Sequence, residues 1–183
     1  MKRLAAATIL ALSVSCLSFA AIAAPKYVGG APMYDSKTIV ENAVNSRDHT
    51  TLVAAVKAAG LVDALSGPGP FTVFAPVNAA FAALPAGTVD TLLKPENKAT
   101  LVKILTAHVA AGSWTYDDLL AKAKEAGGRW AFKTLSGDTL TAVAKGDRVY
   151  IVDEGGGVAR ITVADVAQSN GVIQVVNKVL LPK

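Results

Sequence analysis

Residues 71 to 84 read FTVFAPVNAAFAAL. Phe71, Val73 and Ala75 alternate with Thr72 and Phe74, and the run is β-favouring and mostly apolar on both faces, which predicts a strand covered on both sides. Pro76 has no N–H to donate and ends the ladder. Asn78 is placed to cap a following helix, in which Phe81 and Leu84 lie one turn apart on one face. A second stretch answers it near the other end of the chain. Residues 170 to 182 read NGVIQVVNKVLLP, a turn at Asn170-Gly171 followed by a β-rich run, with Val172 and Ile173 at its start, closed by Pro182.

Together the two stretches resemble the paired signature motifs of the fasciclin domain family. TVFAP with Asn78, Phe81 and Leu84 is similar to the first motif. NGVI with Val175 and Lys178-Val179-Leu180-Leu181-Pro182 is similar to the second. The resemblance covers Lys37 to Lys183. Val77, Ala79, Gln174 and Asn177 depart from the family's frequent Thr, Glu, His and Asp. His108 matches the histidine of the family's Tyr-His motif, whereas Ala107 stands in place of the tyrosine.

The totals are compatible with one such domain. The chain has 183 residues and one cysteine. Residues 1–23 read as a secretory signal: Lys2 and Arg3 at the start, an apolar run from Leu4 to Val14, and small residues at Ala21 and Ala23. Cleavage there removes Cys16, leaving a mature chain without thiol or disulfide, stabilised by packing alone. A lipoprotein reading of Cys16 competes, but Ser13 is poorly suited three residues before it and apolar sequence continues after it. Lys plus Arg falls from 18 to 16 against 14 acids, a net charge of +2. That charge, scattered along the sequence, gives no case for nucleic acid.

Residues 24–36, APKYVGGAPMYDS, are punctuated by Pro and Gly and read as a flexible lead-in. Tyr27, Met33 and Tyr34 on it are candidate docking residues. The domain then starts at Lys37. Thr38 with Glu41 and Thr115 with Asp118 have capping-box spacing. Asp48 is placed to cap a helix carrying Leu52, Val53, Val56 and Ala59. Leu101, Ile104, Leu105 and His108 repeat at helical intervals. Beyond Gly127-Gly128 the period becomes strand-like, with hairpin turns at Ser136-Gly137-Asp138 and Lys145-Gly146-Asp147 and a mobile turn at Gly155-Gly156-Gly157. Helices first and strands later predict an α+β fold; the resemblance implies one fasciclin-like domain, with N-terminal helices packed on a mainly C-terminal β-wedge or sandwich.

Catalytic patterns are scarce. The sequence has no phosphate-cradling Gly-Lys-Ser/Thr loop, no His-Glu-x-x-His helix and no Gly-x-Ser-x-Gly elbow. A zinc site would need both histidines, His49 and His108, plus acids. On an apolar helix face His108 reads as a neutral, hydrogen-bonded core residue, with no nucleophile or orienting acid nominated beside it. The resemblance also offers it as an adhesion determinant. Asp165-Val166 is similar to an Asp-Ile pair that precedes the second motif in animal members and is linked there to integrin binding. The reading preferred here is an acid at a strand end before a core valine.

The reading is a secreted or periplasmic, non-catalytic binding or adhesion module. The resemblance implies contact with a cell-surface or envelope component, protein or polysaccharide; a second attachment, which bridging requires, is expected from the lead-in over residues 24–36, with weak self-association as the other route. No cofactor is implied. The alternative is a carrier of a small apolar ligand such as a carotenoid or lipid, and a hydrolase comes third.

Overall fold

A computed structural model describes residues 24–183; the signal expected over residues 1–23 lies outside them. A hairpin of β1 (Lys26–Val28) and β2 (Ala31–Met33) opens the described chain. Helices α1 (Ile39–Ala43), α2 (Thr50–Ala59) and α3 (Val62–Ser66) lead into β3 (Phe71–Pro76). Then follow α4 (Asn78–Ala82), α5 (Thr88–Leu92), α6 (Lys98–Ala107), β4 (Val109–Ala111) and α7 (Tyr116–Glu125). The chain closes with β5 (Arg129–Lys133), β6 (Thr139–Lys145), β7 (Arg148–Val152), β8 (Val158–Gln168) and β9 (Gly171–Val176).

The two motif stretches are neighbours in space. β3 and β9 pair in parallel, from Phe71 opposite Gly171 to Pro76 opposite Val176. They sit inside a seven-stranded sheet of order β4-β3-β9-β8-β7-β6-β5, whose other pairings are antiparallel. The sheet curls until its edges meet: Ala110 bridges Thr134, and Leu135 N–H donates to the Val109 carbonyl at 2.8 Å. The result is a wedge in which the edge strands cover each other. Close approach of β3 and β9 requires a glycine. Gly171 has φ of +154°, and a Cβ there would overlap the Phe71 carbonyl oxygen.

Strand alternation divides the core in two. Val73, Ala75, Ile173 and Val175 face the helices, joined by Leu52, Val56, Leu101 and Leu105. Phe74 and Val176 point into the wedge, among Phe132, Leu140, Ile151 and Leu119. There Trp114, Trp130 and Phe132 meet with ring centroids about 5 Å apart, and Phe74 stacks on Phe132 at 5.9 Å. Helix α7 contributes Leu119 and Ala123 to this inner core, both fully buried. Its expected capping box forms, with Thr115 Oγ1 accepting from Asp118 N–H and Asp118 accepting from Thr115 N–H.

Three local expectations change. The lead-in over residues 24–36 is folded: β1 and β2 turn through Gly29-Gly30 and bury Val28, Ala31 and Met33 in the helix-side core. Asn78 does not cap its own helix; it accepts from Thr51 N–H and Thr50 Oγ1–H and donates to the Arg47 carbonyl. It therefore serves the start of α2, where Asp48 makes no side-chain cap. The triple-glycine turn is held by Asp153, whose Oδ1 accepts from Gly157 N–H at 2.6 Å.

Candidate functional site

His108 ends α6, in the helix's C-cap position. It is 2% exposed and both ring nitrogens are engaged. Leu180 N–H donates to Nε2 at 2.9 Å, so Nδ1 carries the proton and donates to the Ile104 carbonyl at 2.8 Å. That second bond satisfies one of the carbonyls a helix end leaves open. The backbone carbonyl of His108 accepts from Phe74 N–H at 2.9 Å. One residue thus ties the first motif, through Phe74, to the second, through Leu180. Burial pushes its pKa down to about 4, with the Ile104 backbone and Asp153 acting in the opposite sense. A neutral imidazole with both nitrogens committed to backbone groups is a clamp, not a base open to a ligand.

His49 lies elsewhere, bonded at Nδ1 to Ser46 Oγ at 2.8 Å, and burial lowers its pKa as well. No grouping of three or more His, Cys, Asp or Glu suited to a metal occurs among the described residues.

Asp165 and Val166 also serve the fold. Val166 is 1% exposed and belongs to the helix-side core. Asp165 takes φ of +55°, uncommon for a residue with a side chain. Its Oδ1 accepts from Tyr116 N–H at 2.7 Å, at the first residue of α7, and from Gln174 Nε2 at 2.8 Å. Gln174 returns a bond from Asp165 N–H and donates to the Trp114 carbonyl. The Asp165-Val166 pair is a carboxylate that accepts from the first N–H of α7 beside a buried valine. Other motif residues act similarly. Thr72 Oγ1 donates to the Gly112 carbonyl and accepts from Trp114 N–H. Asn170 Oδ1 accepts from Ile39 N–H, while its Nδ2 donates to the Leu65 and Gly67 carbonyls. Phe81 is buried under α2 and β3 in the helix-side core.

Of the three candidates on the lead-in, Met33 is corrected: at 4% exposed it is a core residue. Tyr27 and Tyr34 remain on the surface, 68% and 43% exposed. They stand on a braced hairpin. Asn42, fully buried, accepts from Tyr34 N–H and donates to the Tyr34 carbonyl and to Gln168 Oε1. Beside them runs a groove of about 320 Å³ lined by Pro25, Met33, Tyr34, Asp165 and Ala167.

A second surface is not legible in the sequence because its residues are dispersed. Strands β5 to β8 alternate cleanly: Phe132, Leu140, Ala142, Val149, Ile151 and Ala159 point inward. The intervening positions, Arg129, Lys145, Arg148, Tyr150 and Arg160 among them, point outward. The available signal was alternation with apolar neighbours, as Arg148 and Tyr150 flank Val149 and as Arg160 lies between Ala159 and Ile161.

The family model described as "Fasciclin domain" matches residues 47–182. Protein sll1483 of Synechocystis is 52% identical over 145 residues, covering 79% of this chain and 73% of that protein. Immunogenic protein MPB70 of Mycobacterium bovis is 35% identical, over 76% of this chain and 66% of its own. Transforming growth factor-beta-induced protein ig-h3 of Sus scrofa is 34% identical, and the match spans 19% of that longer protein. Among solved structures, a FAS1 domain pair from the insect cell adhesion molecule fasciclin I superposes with a TM-score of 0.70 at 18% identity, over 79% of this chain and 51% of that one. With the paired motifs, the wedge and the family model in agreement, the chain belongs to the fasciclin domain family.

Proposed function

We propose that this chain is an exported, non-catalytic adhesion module that attaches to a cell-surface or envelope component. One observation carries the reading: Tyr27 and Tyr34 are held exposed on a hairpin whose neighbours are buried and hydrogen-bonded. Aromatic side chains on a rigid support lose little freedom on binding and are the usual anchors of interfaces. The insect relative of the same fold is described as a cell adhesion molecule. No helix among the described residues is long and apolar enough to cross a membrane.

The carrier alternative finds less support. The two apolar spaces among α1, α2, α3 and the sheet hold only about 40 and 30 Å³. Small-molecule sites run to roughly 300–1,000 Å³; the groove beside Tyr34 reaches that size, but Lys26, Asp35 and Asp165 are among its lining residues.

The test is co-sedimentation of the mature protein with envelopes of its source cell. Changing Tyr27→Ser together with Tyr34→Ser removes the anchors and leaves the core untouched. Retention is expected to fall about tenfold or more, the range of interface hot spots, with an unchanged melting temperature. Retention equal to the unmodified protein rejects the hairpin as the attachment surface.

A further inference from the structure

The outward face of β5 to β8 has a composition the fold does not need. In the cross-strand row, Arg129 pairs with Val143, Val143 with Tyr150, and Tyr150 with Arg160. Two residues along, Lys145 pairs with Arg148. Strand spacing of about 4.8 Å places Arg160 one strand from Tyr150 and Arg129 two strands away on the other side. None of the outward positions of these strands, through Thr162 on β8, is acidic. Arg129, Arg148 and Arg160 have no carboxylate within 4 Å among the described residues; Asp147, in the turn beside Arg148, pairs with Lys124 at 3.1 Å.

The face also has relief. β7 and β8 pair only from Tyr150–Arg160 to Val152–Val158 and then diverge, as β8 turns to β9. A polar cleft of about 360 Å³ opens where they part, with Arg148, Arg160 and Thr162 beside it and Tyr116 within. Tyr116 OH there accepts from Val149 N–H at 3.0 Å, a backbone donor the parted strand no longer pairs. Lys145 lies over the Tyr150 ring at 5.7 Å, and the ring remains half-buried on the open face.

From this arrangement we propose that the β5–β8 face binds an acidic polysaccharide. A carboxylate or sulfate enters the cleft between Arg148 and Arg160, and a sugar ring takes the place of the Lys145 ammonium over Tyr150. The guanidinium fork matches a carboxylate in two parallel hydrogen bonds, and a flat aromatic face suits the C–H side of a pyranose. Arg129 at the far end of the row takes a second charge along the polymer. The class follows from charge complementarity plus a single stacking ring. An anionic membrane would favour protruding apolar wedges beside the cations, and a single-stranded nucleic acid would favour a series of stacking rings; this row offers one. The inference rests on the adhesion reading and names the ligand class of a surface separate from the tyrosine hairpin.

The probe is alginate, a uronate polymer, with dextran as the uncharged comparison and phosphatidylglycerol vesicles as the lipid one. Titration of the full mature protein should show alginate binding that weakens with added salt and no binding to dextran. Arg148→Gln with Arg160→Gln should weaken it about tenfold or more, the scale of charge-assisted bonds lost. Lys94→Gln with Lys98→Gln, an equal charge loss on the helical side, should leave it unchanged, and circular dichroism should show all variants folded. Equal weakening by both pairs means net charge alone and overturns the site. So does equal affinity for dextran, or binding to vesicles with none to alginate. Envelope sedimentation separates this inference from the one it rests on. If the arginine variant loses alginate while the unmodified protein stays off envelopes, the site stands and the adhesion reading falls. If the unmodified protein sediments without binding alginate, the adhesion reading stands and the site falls.

Discussion

At the scale of single residues, polar side chains that look like site candidates are mostly fasteners. His108 shows why the sequence gives half the answer. Its helical spacing among Leu101, Ile104 and Leu105 correctly places it on a buried face, and the i−4 carbonyl of Ile104 is a local partner. Leu180, 72 residues away, is not readable locally. The clamp has a pH signature. The folded pKa, about 4, lies below the ordinary 6.5, so between those values the unfolded chain binds a proton the folded chain refuses. Stability from this group is complete above pH 6.5 and drains away as pH falls toward 4, by about 3 kcal/mol in all. His108→Ala should cost about 1–3 kcal/mol at neutral pH by stranding the Leu180 N–H. The unmodified protein should then lose stability relative to the variant as pH drops from 7 to 4.5. Denaturant midpoints of the two measured at each pH cancel the contributions of His49 and the carboxylates. A difference that stays constant with pH would show that His108 is not held neutral.

At the scale of elements, periodicity exposes long segments and hides short ones. The strand-like run after Gly128 and the helix carrying Leu101 to Leu105 were legible because several turns or alternations repeat. The β1–β2 hairpin was not, because each strand has three residues and Pro32 sits in the second. The signal was Gly29-Gly30, with φ of +59° and +78°, the two positive angles a tight hairpin turn demands. Helix caps fail for a related reason: Asn78 has the right residue type, but its carbonyl oxygen serves a helix that ends nineteen residues earlier. The hairpin is an integral element, and its removal should show it. A chain beginning at Lys37 loses Val28, Ala31 and Met33 from the core and both Tyr34 partners of Asn42. Burial of one Met is worth roughly 1.5–3 kcal/mol. Together the losses should exceed about 3 kcal/mol and lower the melting temperature by about 6–12 °C for a protein this size. An unchanged melting temperature would make the hairpin a mere appendage, and the exposed tyrosines would then stand on a loose support.

At the scale of the molecule, the arrangement of β3 and β9 makes two cores behave as one. Each strand is buried on both faces, so a residue facing the wedge and its neighbour facing the helices share a backbone. The first motif stretch is legible as an apolar two-sided strand and the second as a β-rich run; their parallel pairing across about a hundred residues is not, because local patterns carry no register between distant strands. Coupling through shared strands predicts a single unfolding transition. The probes to test it are built in: both tryptophans, Trp114 and Trp130, pack at the wedge core, while most helices lie against the other. Phe74→Ala opens a cavity on the wedge side, where Phe74 is fully buried against Phe132. A phenylalanine truncated in a packed core costs about 3–5 kcal/mol, a large share of a typical 5–15 kcal/mol stability. Tryptophan fluorescence and far-ultraviolet circular dichroism should move to the same lower denaturant midpoint in this variant. A fluorescence midpoint that falls while the helical signal stays put would mean that the wedge melts alone. The central strands would then separate two independent cores rather than join them.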